Sequence, residues 1–311
     1  MRELRHIPSP RRRELLSGAP TLSIGVLAAL AGCTFAQDTN HEGDDAPRFA
    51  PLNRPVHTAW VFSSGGPRGF THVGVLRALD ELGLVPDLIV GASVGAAVGG
   101  LRAAGRSAAD IEQLALTLNP LSVARLSIGG SGDERLSSAP VAALMREQVR
   151  EHRIERLPIA LACVVARRRD AAAIAFTAGD IGLAVQASAA IEGRMTPVRI
   201  LGETYLDADA VAPLPVRIAR SLGAQRVLAV DASVHLDRAP PGAARYREGD
   251  LKKRALVAAD ARHADLLLKP DFGYWVSFSR EFRERAIDAG YREAMAQAAP
   301  LRALHRSAAS S

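Results

Sequence analysis

Ser93 lies in Gly91-Ala92-Ser93-Val94-Gly95, directly after the apolar run Leu88-Ile89-Val90 and before an alanine- and glycine-rich stretch, Ala96 to Ala104. Strand, sharp turn and helix, in that order, is the setting in which a serine hydroxyl is presented as a nucleophile. Gly91 and Gly95 suit such a turn, because a Cβ at either position would crowd the turn or an approaching substrate. A Gly-x-Ser-x-Gly also occurs in plain turns, so chemistry at Ser93 requires partners. Upstream, a β-type run at Thr58–Ser63 breaks into Ser64-Gly65-Gly66-Pro67-Arg68-Gly69 and resumes as a helix, with Val73, Leu76, Leu79 and Leu82 on one face. A glycine-rich turn between strand and helix aims backbone N–H groups at an anion over the helix N-terminus. A dinucleotide phosphate is one candidate, but Ser64 stands where the first glycine belongs and no acidic residue closes a second strand. The other is an oxyanion facing Ser93. Strand, glycine loop, helix, strand and Gly-x-Ser-x-Gly follow within 38 residues, which brings both loops to one edge of adjacent parallel strands and favours the oxyanion.

The elements that must hold these loops are readable in outline. Strands are predicted at 58–63, 87–91, 159–165, 225–231 and 264–269, forming one largely parallel sheet with helices on both faces, an α/β architecture. Ser107-Ala108-Ala109-Asp110 opens a helix in capping-box fashion. Residues 119–137 form a glycine- and serine-rich loop. A helix over 139–151 carries Arg146, Arg150 and Arg153 on a solvated face. Arg167–Asp170 is a turn into a second strand at 171–177, and 180–190 is a small-residue helix. Further helices are expected at 217–222, 251–262 and 279–298, with a polar, proline-rich loop at 235–250 and a disordered tail at 299–311.

Composition sets the class. The chain has 311 residues, 48% hydrophobic and 23% charged, enough for one large α/β domain or two small ones. Of the net charge of +6, five arginines and two glutamates within residues 1–32 supply half. The remainder suits an anionic membrane surface, and no basic stripe interleaved with aromatics points to nucleic acid. Cys33 and Cys163 form no zinc spacing or disulfide framework. Cys163 sits in the apolar run Ile159–Val165 and reads as a packed core thiol. No cofactor or metal is expected. Near the N-terminus, Arg11-Arg12-Arg13 precedes an apolar stretch, Leu22 to Ala31, too short to span a bilayer. It ends in Leu30-Ala31-Gly32-Cys33, which resembles the bacterial lipoprotein box. That resemblance implies a signal peptide over 1–32 and a lipid on Cys33. Because Thr34, not Asp, follows the cysteine, it also implies export and anchoring to the outer membrane facing the periplasm. Arg12-Arg13-Glu14-Leu15-Leu16 faintly resembles a twin-arginine signal. Residues 33–55, polar and proline-containing, read as anchor and flexible tether ahead of a domain over 56–298.

Four ordered blocks in that domain resemble the bacterial patatin-like phospholipases. They are Gly65–Leu76 (oxyanion loop and first helix), Gly91–Gly95 (nucleophile elbow), Gln186–Gly193 through Pro197-Val198 (a supporting segment) and Asp207–Val216 (the block of the catalytic aspartate). The resemblance implies a three-layer patatin-like fold and a lipid acyl-ester hydrolase of phospholipase A, lysophospholipase or esterase type, working through an acyl-enzyme. Its substrate is a membrane lipid or another acyl ester. By the same resemblance Ser93 attacks and Asp207 acts as base, without a histidine. The oxyanion loop is Gly65, Gly66, Arg68 and Gly69, with the amides of Gly65, Gly66 and Arg68 as donors, while Arg68 could also meet a phosphate or hold the loop. The chain departs from the family pattern at Ser64, Glu192, Met195-Thr196 and Asp207-Ala208-Asp209, where Asp-Gly-Gly or Asp-Gly-Ala is usual. Ala208 is therefore expected either to carry strain or to tilt the loop, and Asp209 to bring a second carboxylate to the mouth of the site. Two alternatives remain open: a silent patatin-fold scaffold or binding module, and a Ser–His–Asp hydrolase drawing on His235, His263 or His305. His72 reads as structural.

Overall fold

The computed structural model of the chain describes residues 40–119, 123, 125–126 and 136–306. The expected signal peptide and the lipid-bearing Cys33 lie outside them. The strands, in chain order, are β1 (Thr58–Phe62), β2 (Leu88–Ala92), β3 (Arg125–Leu126), β4 (Leu136–Ser137), β5 (Ala160–Arg167), β6 (Ala172–Phe176), β7 (Val198–Ile200), β8 (Glu203–Asp207), β9 (Arg226–Val230) and β10 (Leu266–Leu268). The helices are α1 (Phe70–Glu81), α2 (Val94–Ala103), α3 (Ala108–Thr117), α4 (Ala139–Gln148), α5 (Ile181–Ser188), α6 (Val216–Ser221), α7 (Arg247–Ala261), α8 (Arg280–Ala296) and α9 (Ala298–Arg306).

Eight strands form one sheet in the order β10-β9-β1-β2-β5-β8-β7, with β6 also on β5. From β10 to β5 every neighbour is parallel, and β6, β8 and β7 join antiparallel. All five predicted strands are present. Their side chains alternate across the pleat as a sheet buried on both faces requires. Trp60 and Phe62 enter a core shared with α1–α5, α8 and α9, while Ala59 and Val61 enter a second core completed by α6 and α7. Cys163 is fully buried among the first set, and burial pushes its thiol up to about 12.

Several expectations need correction. Residues 40–55 are no tether: His41 exchanges backbone hydrogen bonds with Arg199 and Leu201 at 3.0 Å, and Arg48 bridges to Ala178. Arg146 is not merely solvated. Its guanidinium donates to both carboxylate oxygens of Asp180 at 3.0 and 2.8 Å, and Asp180 in turn caps α5. The sequence predicts no β7–β8 hairpin, because Arg199, Glu203 and Thr204 break up the apolar run that marks the other strands. The 235–250 loop winds into two short 3-10 turns, and α7 begins four residues before Leu251. Residues 298–306 form a helix rather than a tail, burying Leu301 and Leu304. The Trp60 indole N–H donates to His305 Nε2 there at 3.0 Å.

Candidate active site

Ser93 follows the last residue of β2 and caps α2 with φ 55° and ψ −124°. A non-glycine residue there is strained by about 1–3 kcal/mol and persists only where its surroundings over-determine it. Two clamps do so. A Cβ on Gly95 would lie 2.3 Å from the Phe62 carbonyl oxygen, and one on Gly91 would lie 2.4 Å from that of Gly95, so the elbow closes only with glycine at both positions. The Ser93 amide also donates to Ser188 Oγ at 2.9 Å, and the Ser188 hydroxyl donates to the Val164 carbonyl at 2.6 Å. Ser188 is fully buried. It belongs to the supporting block read from the sequence, although its own role was not legible there.

Asp207 ends β8. Strand β5 acts as the ruler between the two residues: Val164 pairs with Ala92, and Val165 pairs with Asp207. Two interstrand spacings, about 10 Å of backbone, therefore separate the serine and aspartate positions, a gap two inward-leaning side chains can close. Asp207 is 4% exposed and its carboxyl is pushed up to about 7. Burial is the main cause and the charge of Asp209 the next. A hydrogen bond from the Ser93 side chain, the Asp209 amide and the Lys253 ammonium pull the other way. The Asp209 N–H donates to Asp207 Oδ1 at 2.9 Å, and the Asp207 amide is fixed to the Ala190 carbonyl.

Ala208 does not carry the strain expected of it. Positive φ among described non-glycine residues is confined to Ser93, Ala171 and Leu201. Ala208 instead opens a 3-10 turn, Ala208–Ala210, with its methyl fully buried in the second core. An alanine fits because the chain tightens into a helical turn there, which needs no left-handed residue. Asp209 does reach the site. It accepts from Ser64 Oγ and pairs with Lys253 Nζ from α7. Burial works to raise its pKa, but the Lys253 charge and the bonds from Lys253 and Ser64 prevail, holding Asp209 below the usual range and ionised. Two departures from the family pattern, Ser64 and Asp209, are thus partners.

The glycine loop forms a 3-10 turn over Gly66–Gly69, with Gly66 at φ 52°. Gly65, Gly66 and Arg68 line the same cavity as Ser93 and Asp207. The Arg68 amide, expected as an oxyanion donor, is committed to the Gly65 carbonyl at 3.1 Å. The amides of Gly65 and Gly66 sit at the open N-terminal end of the turn, where helix geometry leaves N–H groups unpaired. Gly69 lies behind the wall, where a Cβ would lie 2.3 Å from a methyl of Val94. The buried Arg68 side chain holds the loop: Nε donates to Ala232 O at 2.8 Å and Nη1 to Gly273 O at 2.7 Å, with the guanidinium 4.4 Å from the Phe272 ring centroid. Burial lowers its pKa to about 10, opposed by Asp231 and Asp250, so it remains a cation at neutral pH.

The cavity has a volume of about 360 Å³, and its outer wall is α7, through Gly249, Asp250, Lys253 and Arg254. The α7 residues were invisible to sequence reasoning, since Lys253 meets Asp209 across 44 residues. No histidine lines the cavity among the described residues. His72 is buried with Nε2 2.9 Å from Ser63 O, and burial drops its pKa to about 4. His235 faces Pro270 O, and His305 accepts from Trp60. The arrangement offers a strained serine, a buried carboxyl that ionises near neutrality, and backbone donors on one wall, the parts of an acyl-transfer site.

A model of the patatin-like phospholipase family matches residues 60–220. An uncharacterized NTE family protein of Mycobacterium tuberculosis is 33% identical over 175 residues, covering 55% of this chain and 48% of that protein. Patatin-like phospholipase domain-containing protein 6 of Homo sapiens is 29% identical over 197 residues, 60% of this chain and 14% of that protein. The chain thus spans about half the length of the mycobacterial relative and a small part of the human one. Among solved structures, VipD from Legionella pneumophila aligns with a TM-score of 0.49 at 14% identity, covering 86% of this chain and 72% of that one.

Proposed function

The chain belongs to the patatin-like phospholipase family, and from that premise we propose that it is an acyl-ester hydrolase acting on membrane lipids through a Ser93–Asp207 dyad. Ser93 Oγ attacks the ester carbonyl while Asp207 takes its proton. The tetrahedral oxyanion faces the Gly65 and Gly66 amides, each such donor being worth about 3 kcal/mol in the transition state. The C–O bond then breaks, Asp207 returns the proton to the departing alcohol, and water attacks the acyl-enzyme by the reverse route. One observation carries the reading: the strained Ser93 and the buried Asp207 carboxyl line one cavity, where burial raises the carboxyl's pKa toward neutrality, the range in which a general base works best. A cavity of about 360 Å³ encloses an ester and a short run of methylenes, so a phospholipid substrate would leave most of its chains outside. The exported, Cys33-anchored form at the outer membrane is part of the same proposal.

The test is labelling of Ser93 with a fluorophosphonate, together with phospholipid and lysophospholipid hydrolysis by wild type, Ser93→Ala and Asp207→Asn. Labelling and turnover should vanish in Ser93→Ala, and turnover should vanish in Asp207→Asn. Full activity in Asp207→Asn would refute the dyad. The second reading, a silent scaffold, draws on the Ser64–Asp209–Lys253 network occupying the cavity wall. Absent labelling and turnover in wild type would favour it.

A further inference from the structure

The cavity rim carries an exposed aromatic cluster that the proposed chemistry does not use. Between β10 and α8 the chain runs as an irregular strap in which Trp275, Val276 and Phe278 are 52%, 50% and 40% exposed. Trp275 packs edge-on against Tyr274 and Tyr246, with ring centroids 5.2 and 6.3 Å apart. Leu251 of α7 is exposed as well. Tryptophan half out of a surface is costly in water and favourable at a bilayer interface. The strap is fastened to the site at two points: Arg68 of the glycine loop holds the Gly273 carbonyl, and the Tyr274 hydroxyl donates to Asp250 of the cavity wall at 2.5 Å.

Charge selects among occupants. Residues 245–254 hold five basic side chains against Glu248 and Asp250. Asp250 is engaged by Tyr274 and Lys253 by Asp209, whereas Arg245, Arg247, Lys252 and Arg254 are exposed. Arg247 and Arg254 lie four residues before and three after Leu251, which puts all three on one helix face. Apolar side chains ringed by cations match an anionic lipid surface, where each basic residue near the headgroups adds attraction. A self-complementary protein contact would bring these cations together instead.

We propose that the Trp275 strap and the basic face of α7 form a docking surface for anionic phospholipid bilayers, setting the cavity mouth against the headgroups. This deepens the hydrolase reading but does not depend on turnover. The chain has two tryptophans, and Trp60 is fully buried, so a quencher in the acyl chains reports on Trp275. The experiment uses the full-length Cys33→Ala/Ser93→Ala chain, which carries no lipid on Cys33 and leaves vesicles intact, with phosphatidylcholine vesicles and with 3:1 phosphatidylcholine:phosphatidylglycerol vesicles, both carrying brominated acyl chains. A blue shift and quenching with the anionic vesicles are expected, together with weaker partitioning into pure phosphatidylcholine. Arg247→Gln and Arg254→Gln should each lower partitioning roughly fivefold, and Trp275→Phe should abolish the quenched signal while leaving binding. Co-sedimentation without quenching overturns the proposal. So does equal binding to both vesicle types that ignores the Gln variants. A blue shift that follows protein concentration without vesicles, with a dimer mass in solution, overturns it and assigns the patch to a second copy. Failure of the hydrolase reading would leave the quenching unchanged.

Discussion

Replacing Asp207 with asparagine should make the protein more stable at neutral and alkaline pH, whatever it does to activity. Asparagine keeps an Oδ1 acceptor for the Asp209 amide and removes a charge that burial opposes. Burial pushes the wild-type carboxyl up to about 7 in the folded chain, against an ordinary value of 3.8. Between those values the folded state binds more protons than the unfolded one, so stability falls as pH rises. The full penalty is about 4 kcal/mol, absent below the unfolded value and complete above pH 7. From pH 5 to pH 7 the stability of Asp207→Asn relative to wild type should grow by about 2 kcal/mol. In melting temperature that is a widening of roughly 4–8 °C for a domain of this size. The assay is urea or thermal unfolding of both proteins from pH 5 to 8.5, read as the difference at each pH. A difference that stays flat across pH 5–7 would show that Asp207 ionises in its ordinary range, and the argument for a base poised at neutrality would fail with it.

Three further perturbations test the elbow, the second carboxylate and the N-terminal anchor. Ser188→Ala orphans the buried Ser93 amide and should cost about 1–3 kcal/mol of stability; it should also lower kcat by relaxing the elbow, whereas Ser188→Thr restores both in urea unfolding and ester hydrolysis. Asp209→Asn removes a charge that raises the Asp207 pKa and frees Lys253, which lowers it, so the acid limb of the kcat/KM profile should move to lower pH; a limb that stays put or moves up would contradict the electrostatics. Cys33→Ala should shift the expressed protein from the membrane fraction to the soluble one, and retention on membranes after a salt wash would remove the case for lipidation.

What was legible in the sequence follows the range of the interactions. The elbow at Ser93 is a local device, with strand, turn and helix written consecutively, and the glycines at 91 and 95 announce the close backbone contacts found there. The strands β1, β2, β5 and β9 were readable because they are buried on both faces and run apolar almost without interruption, and the short β10 by its run of leucines although Leu267 is exposed. Asp207 could be singled out only by resemblance, since its neighbour Ser93 is reached across β5 and no spacing along the chain encodes that. Ser188 and Lys253 act through contacts 95 and 44 residues away, and a serine or lysine on a helix carries no mark of such a partner. Ala208 misled because its family counterpart is a glycine, while the turn here is helical. The helix over 298–306 was overlooked for its alanine-rich sequence; Leu301 and Leu304, three apart, are the face it buries.

The contact between Ser64 and Asp209 also constrains how this site could have arisen from a glycine-bearing ancestor. Ser64 has a second acceptor in the Pro213 carbonyl at 3.4 Å, so a serine there is tolerable opposite a small residue at 209. An aspartate at 209 opposite a glycine at 64 would lose one of its two side-chain donors and lean on Lys253 alone, with a sharper penalty on the neighbouring base. The low-cost mutational path is therefore ordered, with serine and lysine in place before aspartate. In a double-mutant cycle, Ser64→Gly and Asp209→Gly should be non-additive by about 0.5–3 kcal/mol, the paired reversal costing less than the sum of the single ones. Across homologues the two positions should change together, so that residue 64 foretells residue 209.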